Sequence, residues 1–182
     1  DEIYKKIGYY ATTNKPLPRV GAFFGSQGKA KKMDLLKTAQ KWLGEANQRA
    51  GSRRPFKLAG RKVMGAVQWQ SGRYDDLHYP GFPDEGVRFF FEDPDLKYIT
   101  IRPSGTSQTI RFYVQLFSHV KQDNLGEVKA AQEREAVEIS LEAQRELLEA
   151  AGYKRDPDYQ SVLEQLQEVG ARGEARTRIR TG

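Results

Sequence analysis

The chain has 182 residues, of which 38% are hydrophobic and 30% charged, a balance typical of a globular domain with polar segments attached. It contains no cysteine, which excludes disulfides, zinc–thiolate sites and cysteine nucleophiles, and it has no apolar run of the ~18 residues that a membrane span needs. The net charge of +6 favours anionic partners such as phosphates, nucleic acid or acidic lipid.

The N-terminal part of the chain predicts the end of a helix, a linker, a strand and a second helix. Asp1–Gly8 is typical of the last turns of a helix with glycine at the C-cap. Because the chain starts without Met and in the last turns of a helix, we expect it to be cut from a longer protein. The absence of cysteine and of a signal-peptide pattern makes a cytoplasmic location the default expectation. The prolines of Ala11–Val20 indicate a linker, Val20–Phe24 a short strand, and the apolar spacing of Lys29–Asn47 a helix.

The middle of the chain alternates apolar and polar residues, as strands do. A long loop, Ser71–Gly86, interrupts this pattern. The predicted strands are Lys62–Gln70, Val87–Glu92, Tyr98–Arg102 and Thr109–Phe117.

The last part of the chain has helical periodicity. Gly126–Ala151 predicts a helix with Gly152 at its C-cap, Asp156-Pro157 predicts a helix start, and residues 171–182 are expected to be disordered. The sequence therefore predicts an α+β fold, with a mostly antiparallel four-stranded sheet, helices on one face and a C-terminal helical extension. We divide the chain into residues 1–10, the end of a preceding domain, residues 11–152, the main domain, and residues 153–182, the extension with its basic tail.

The hairpin between the last two predicted strands collects groups that bind phosphate. Strand alternation places Arg102 and Arg111 on the face away from the core, near the same hairpin mouth. Between them, Ser104, Thr106 and Ser107 supply hydroxyl donors, and Gly105 lets the backbone approach a ligand. Consecutive amides form anion nests, and guanidinium groups match phosphate oxygens. The alternative is an ordinary hairpin turn flanked by solvated arginines.

The segment RPSGT, Arg102–Thr106, resembles the R-x-S-G-T loop in the C-terminal domain of the α-D-phosphohexomutase family, which includes phosphoglucomutases and phosphomannomutases. The flanks FFFED, LKYITI and TIRFYVQ are similar to the strands around that loop, and Arg111 matches a family arginine. DEIYKKIGYY resembles the end of the preceding sugar-binding domain. The resemblance covers roughly Asp1–Gln122, although many bacterial members have Glu-Pro-Lys in place of Ser107–Thr109.

This resemblance implies a TATA-binding-protein-like domain that closes over an active-site cleft and holds the non-reacting phosphate of a sugar phosphate. The residues that would bind this phosphate are Arg102, Ser104, Gly105, Thr106 and Arg111. It also implies that the phosphoserine, the Mg²⁺ loop and the sugar-selecting loop belong to preceding domains. We therefore expect this chain alone to be inactive, and the full-length enzyme to convert glucose 1-phosphate to glucose 6-phosphate, with other sugar phosphates left open.

A stand-alone nucleic-acid-binding module is the rival interpretation. The basic residues between Arg53 and Lys62 would line a patch for a phosphate backbone, and the open sheet face would carry Phe90 and Tyr113. Against this interpretation, the sequence has no RNP-type aromatic motif.

Overall fold

The computed structural model describes residues 2–18, 21–69, 85–92, 96–104, 106–120 and 124–181, and among these the side chains of residues 2, 5 and 172–181 are not described. These residues form four helices and seven strands. The helices are α1 (Glu2–Ile7), α2 (Gly25–Gln48), α3 (Leu125–Ala150) and α4 (Pro157–Thr181). The strands are β1 (Tyr9–Leu17), β2 (Lys57–Leu58), β3 (Arg61–Lys62), β4 (Gly65–Gln68), β5 (Val87–Phe90), β6 (Tyr98–Pro103) and β7 (Ile110–Ser118).

The main sheet has five strands in the order β1-β7-β6-β5-β4, and every neighbouring pair among them is antiparallel. The predicted α+β class and antiparallel sheet are therefore confirmed. The predicted number of four strands is wrong, because β1 adds a fifth strand at the edge beside β7. The short β2–β3 hairpin forms a separate two-stranded sheet.

Strand β1 occupies most of the segment for which the sequence predicts a linker. It pairs with β7 along its whole length, from Tyr9 opposite Ser118 to Leu17 opposite Ile110. Pro16 is tolerated because β1 lies at the sheet edge, where one side of the strand needs no ladder bonds. Only Ala11 and Leu17 of β1 are fully buried, so the local pattern carries little of the apolar alternation that marks a strand.

The helices form a layer on one face of the sheet. Helix α2 packs against β4, β5 and β6, helix α3 packs against β1 and β7, and α4 packs on α3. The core between the layers is built from alternate residues of the central strands, among them Phe89, Ile99, Ile101, Phe112 and Val114, which are at most 1% exposed. Among the described residues, no helix packs on the opposite sheet face, which we call the open face.

Two further strand predictions need correction. The predicted strand Val20–Phe24 is wrong, since residues 21–24 form no strand, and Val20 lies outside the described residues. The predicted strand Lys62–Gln70 is divided into β3 and β4 by Val63 and Met64. The Val63 amide donates to the Phe56 carbonyl at 2.9 Å, whereas the Met64 amide donates to the Phe90 carbonyl at 2.7 Å. Most of the predicted loop Ser71–Gly86 also lies outside the described residues.

The predicted junction between the last two helices is confirmed. Gly152 has φ +89°, and the amide of Tyr153 bonds to the Leu148 carbonyl at 2.8 Å, which is a Schellman end for α3. The carboxylate of Asp156 accepts a bond from the Asp158 amide at 2.9 Å and so caps α4. The backbone of α4 is helical through Thr181, so the expectation of a disordered end from residue 171 is wrong.

Tyr153 couples this junction to α2. Its hydroxyl donates to Asp34 at 2.8 Å, and burial together with this bond raises the pKa of Tyr153 to about 12. Because the phenol keeps its proton more tightly when folded, it stabilises the fold below pH ~10, and this contribution is lost as the pH rises from ~10 to ~12. We expect the chain to be roughly 1 kcal/mol more stable than Tyr153→Phe near pH 8, and urea unfolding to show that gap closing above pH ~10. A gap that is independent of pH would contradict the expected role of the Tyr153–Asp34 bond.

None of the helices in the described part of the chain is both long and apolar enough to span a membrane.

Candidate functional site

The two predicted phosphate-binding arginines lie directly opposite each other. Arg102 on β6 pairs in register with Arg111 on β7, and both side chains are half-buried on the open face. The neighbouring inward residues, Ile101 and Phe112, are fully buried. Strand alternation thus puts both guanidinium groups on one side of the sheet, one residue pair from the hairpin loop. Like charges directly opposite each other on a sheet destabilise it, so this pair favours a bound anion.

The hydroxyl groups of the loop form a chain of hydrogen bonds. Ser107 Oγ donates to Ser104 Oγ at 2.8 Å, and it lies 2.8 Å from the hydroxyl of Thr109. Arg111 Nε approaches Ser104 Oγ at 3.5 Å, a long and weak bond. Thr106 is exposed, whereas Gly105 lies outside the described residues. The hydroxyls of Ser104 and Ser107 are therefore gathered beside Arg111.

One donor of the expected anion nest is used within the hairpin. The Ser104 amide bonds to the Thr109 carbonyl at 2.9 Å, which closes the base of the loop. Ser104 is itself only 8% exposed. The side chains and the more exposed part of the loop around Thr106 therefore remain as the groups able to meet a ligand.

A carboxylate that sequence reasoning missed lies beside the site. Arg102 Nη1 donates to Glu85 Oε2 at 2.8 Å, and the guanidinium lies 5.6 Å from the centre of the Tyr113 ring. Arg102 Nε is buried without a hydrogen-bond partner among the described residues. Glu85 thus holds one end of the guanidinium and leaves hydrogen-bonding capacity at the other. Glu85 lies at the end of a long predicted loop, where periodicity gives no information about position.

Gly86 brings this carboxylate close to β6. It has φ +87°, and a Cβ placed on it would lie 2.3 Å from the Ile101 carbonyl oxygen and 2.5 Å from Arg102 Cβ. Only glycine allows the backbone to pass so near the strand in this conformation. Gly86 therefore fixes the approach of Glu85 to Arg102.

A third arginine, Arg88, occupies the same open face on β5. Its guanidinium carbon lies 4.0 Å from the centre of the Tyr98 ring and 5.1 Å from that of Trp69, and its Nε donates to Thr100 at 2.9 Å. Among the described residues, Glu85 is the one carboxylate paired with any of the three arginines, Arg88, Arg102 and Arg111. This imbalance gives the open face a positive character.

The predicted basic patch lies elsewhere. Arg53, Arg54, Lys57 and Lys62 are exposed around the β2–β3 hairpin. Arg61 instead forms an ion pair with Glu135 of α3, and burial lowers the pKa of Arg61. The patch therefore borders the helix layer, and it is separate from the arginines of the open face.

The chain matches no model of a protein family. A search of curated proteins likewise gave no significant match. The residues and the geometry of the hairpin are therefore the basis for assigning a function to this chain.

Proposed function

We propose that this chain is the C-terminal, phosphate-binding domain of an enzyme of the phosphoglucomutase and phosphomannomutase type. The observation that carries the proposal is the register pair of Arg102 and Arg111 at the mouth of a hairpin whose loop gathers the hydroxyls of Ser104 and Ser107. Two forked cations with adjacent hydroxyl donors match the charge and the hydrogen-bonding needs of a phosphate dianion. The sequence RPSGT around this pair supports the same conclusion.

The antiparallel sheet with helices on one face is compatible with the TATA-binding-protein-like domain of that family. In this proposal the domain grips the non-reacting phosphate of glucose 1-phosphate or glucose 6-phosphate while the other phosphate is transferred. The phosphoserine and the Mg²⁺ site belong to preceding domains, so this chain contributes binding and orientation rather than chemistry. Positioning and charge stabilisation are the main terms in phosphoryl transfer.

Glu85 limits the affinity of the site for phosphate, so that the ligand can be released again. With Glu85 on one end of Arg102, the free site keeps part of its positive charge compensated. A phosphate then competes for the same guanidinium and uses Arg111, which has no carboxylate partner among the described residues. The catalytic cycle of a phosphohexomutase requires the bisphosphorylated sugar to reorient, and a moderate grip suits that requirement.

The proposal is tested by two separate titrations of this chain, followed through its backbone amide signals by NMR. One uses glucose 6-phosphate, and the other uses glucose as the control ligand that lacks the phosphate. We expect the amide chemical shifts of Ser104, Thr106 and Ser107 to change with glucose 6-phosphate and to stay unchanged with glucose. Arg102→Ala should weaken binding about 10- to 100-fold, since a hydrogen bond to a charged group contributes ~1.5–3 kcal/mol.

The matched control is Arg134→Ala. Arg134 is an arginine on α3 whose ion pair with Glu138 spans 3.9 Å at the surface, and its removal should leave binding unchanged. If glucose binds as well as its phosphate, or if both arginine variants behave alike, the phosphate-binding assignment is wrong.

A single-stranded nucleic acid is the second candidate ligand, and the position of Arg88 between Trp69 and Tyr98 favours it. Aromatic rings and arginines on an open sheet are groups that stack with bases and contact phosphates. In that case a labelled RNA oligonucleotide should bind with strong salt dependence. Arg88→Ala should weaken this binding more than Arg102→Ala does, which is the opposite of the order expected for a sugar phosphate.

A further inference from the structure

The C-terminal extension is anchored to α2 by a lysine that is almost completely buried. Lys31 is 9% exposed, and its ammonium group binds Asp156 at 2.5 Å and also binds Asp158. Asp156 is at the same time the cap of α4. One cation thus forms ion pairs with both carboxylates at the start of the last helix and ties that helix to α2. A pair of this kind is costly to break from one side, because the remaining charge stays partly buried.

Lys31 also contacts the segment that supports the phosphate loop. Its ammonium lies 5.6 Å from the centre of the Phe23 ring and 5.5 Å from that of Tyr153. Phe23 is 3% exposed, and its amide donates to the Gln108 carbonyl at 2.7 Å. Gln108 is a loop residue between Ser107 and Thr109, whose hydroxyls bond to each other. A continuous series of contacts therefore runs from the extension through Lys31 and Phe23 to the loop.

Phe23 is held closely in this series. A Cβ on Gly28 would lie 2.6 Å from the Phe23 carbonyl carbon, so the first turns of α2 press against the Phe23 backbone. The Gln108 carbonyl is thereby bonded to a segment whose own position is constrained by α2. Movement of α2 at Lys31 would be passed to the loop through these tight contacts rather than absorbed by free space.

We propose that the C-terminal extension orients the phosphate loop, with Lys31 as the positioning residue that joins the two. This role rests on the proposed phosphate-binding function, which the loop performs, and it gives the extension a function that the family resemblance does not supply. Lys31 does not touch the ligand. Its loss leaves Asp156 and Asp158 without their cation, loosens the start of α4, and removes a contact that holds Phe23 against Gln108.

The test is Lys31→Met, which keeps most of the side-chain volume and removes the charge. We expect glucose 6-phosphate affinity to fall about 2- to 30-fold, the range found for residues that couple distant sites. Amide hydrogen exchange of Phe23 and Ser104 should become faster at the same time, because their amides bond to Gln108 and Thr109 of the loop. Lys41→Met is the matched control, since Lys41 is a lysine of α2 whose side chain is 76% exposed and pairs with Glu45 at the surface.

Asp158→Asn is the second variant, in case Lys31→Met does not fold. It retains a hydrogen-bond acceptor, and it should accelerate the same two amides to a smaller extent. Unchanged exchange at Phe23 and Ser104 in a folded variant of either kind overturns the coupling, whether or not the chain binds phosphate. A different result would show that the proposed phosphate-binding function is wrong. In that case the wild-type chain would fail to bind glucose 6-phosphate, or its binding would be insensitive to Arg102→Ala.

Discussion

Phe112→Ala is expected to lower the free energy of unfolding by about 3–5 kcal/mol, the usual cost of removing a buried phenylalanine. Phe112 is 0% exposed, and it lies on β7 opposite Ile101, which is equally buried. Truncation removes contact area and leaves a cavity that the antiparallel sheet and the helices above it can fill only in part. Urea unfolding followed by tryptophan fluorescence or circular dichroism measures the effect.

The control for this prediction is the next residue, Tyr113. It lies on the open face and contacts Arg102 at 5.6 Å from its ring centre. Tyr113→Ala should cost about 1 kcal/mol, from the lost cation–π contact and the lower strand propensity of alanine. Equal losses at the two positions would mean that β7 does not alternate between faces as described. The shared orientation of Arg102 and Arg111 would then no longer hold.

Gly86→Ala is expected to destabilise the chain by roughly 2–5 kcal/mol. The positive φ of +87° disfavours any L side chain, at a cost of about 1–2 kcal/mol. The added methyl would also lie 2.3 Å from the Ile101 carbonyl oxygen, and such overpacking costs about 1–3 kcal/mol more. The measurement is again the midpoint of urea unfolding at constant m-value.

Gly51→Ala separates the two causes. Gly51 has φ +71°, and no atom lies within 4 Å of a Cβ added there. It should therefore show the conformational cost alone, about 1–2 kcal/mol. If Gly86→Ala is no worse than Gly51→Ala, the close approach of the Glu85–Gly86 segment to β6 is not present in solution. The pairing of Glu85 with Arg102 would then lose its support.

Local sequence signals predicted the helices and the three central strands well. The apolar stripe of α2, the glycine after α3 and the Asp-Pro start of α4 are local signals that act within a few residues. The structure contains all three elements, although α2 begins at Gly25 and not at Lys29. Alternation in β6 and β7 also determined that Arg102 and Arg111 share a face, because the period of two leaves no other choice once the core side is known.

The errors fall where distant parts of the chain decide the conformation. β1 is a strand because it pairs with β7 about a hundred residues away in the chain, whereas its own composition of threonine, asparagine, lysine and proline indicates a linker. Val20–Phe24 has the composition of a strand, but Phe23 uses its amide to bind Gln108. In both segments a long-range hydrogen bond overrides the local preference.

The sequence by itself determined the α+β class, the junction between α3 and α4, and the common face of Arg102 and Arg111, since these follow from backbone periodicity and local capping. Only the tertiary structure decided that Glu85 pairs with Arg102, that β1 completes the sheet, and that Lys31 joins the extension to the loop. The contact of Glu85 with Arg102 connects residues 17 positions apart, and that of Lys31 with Asp158 connects residues 127 positions apart. Their formation depends on how the elements pack, and no periodic pattern in the chain records that packing.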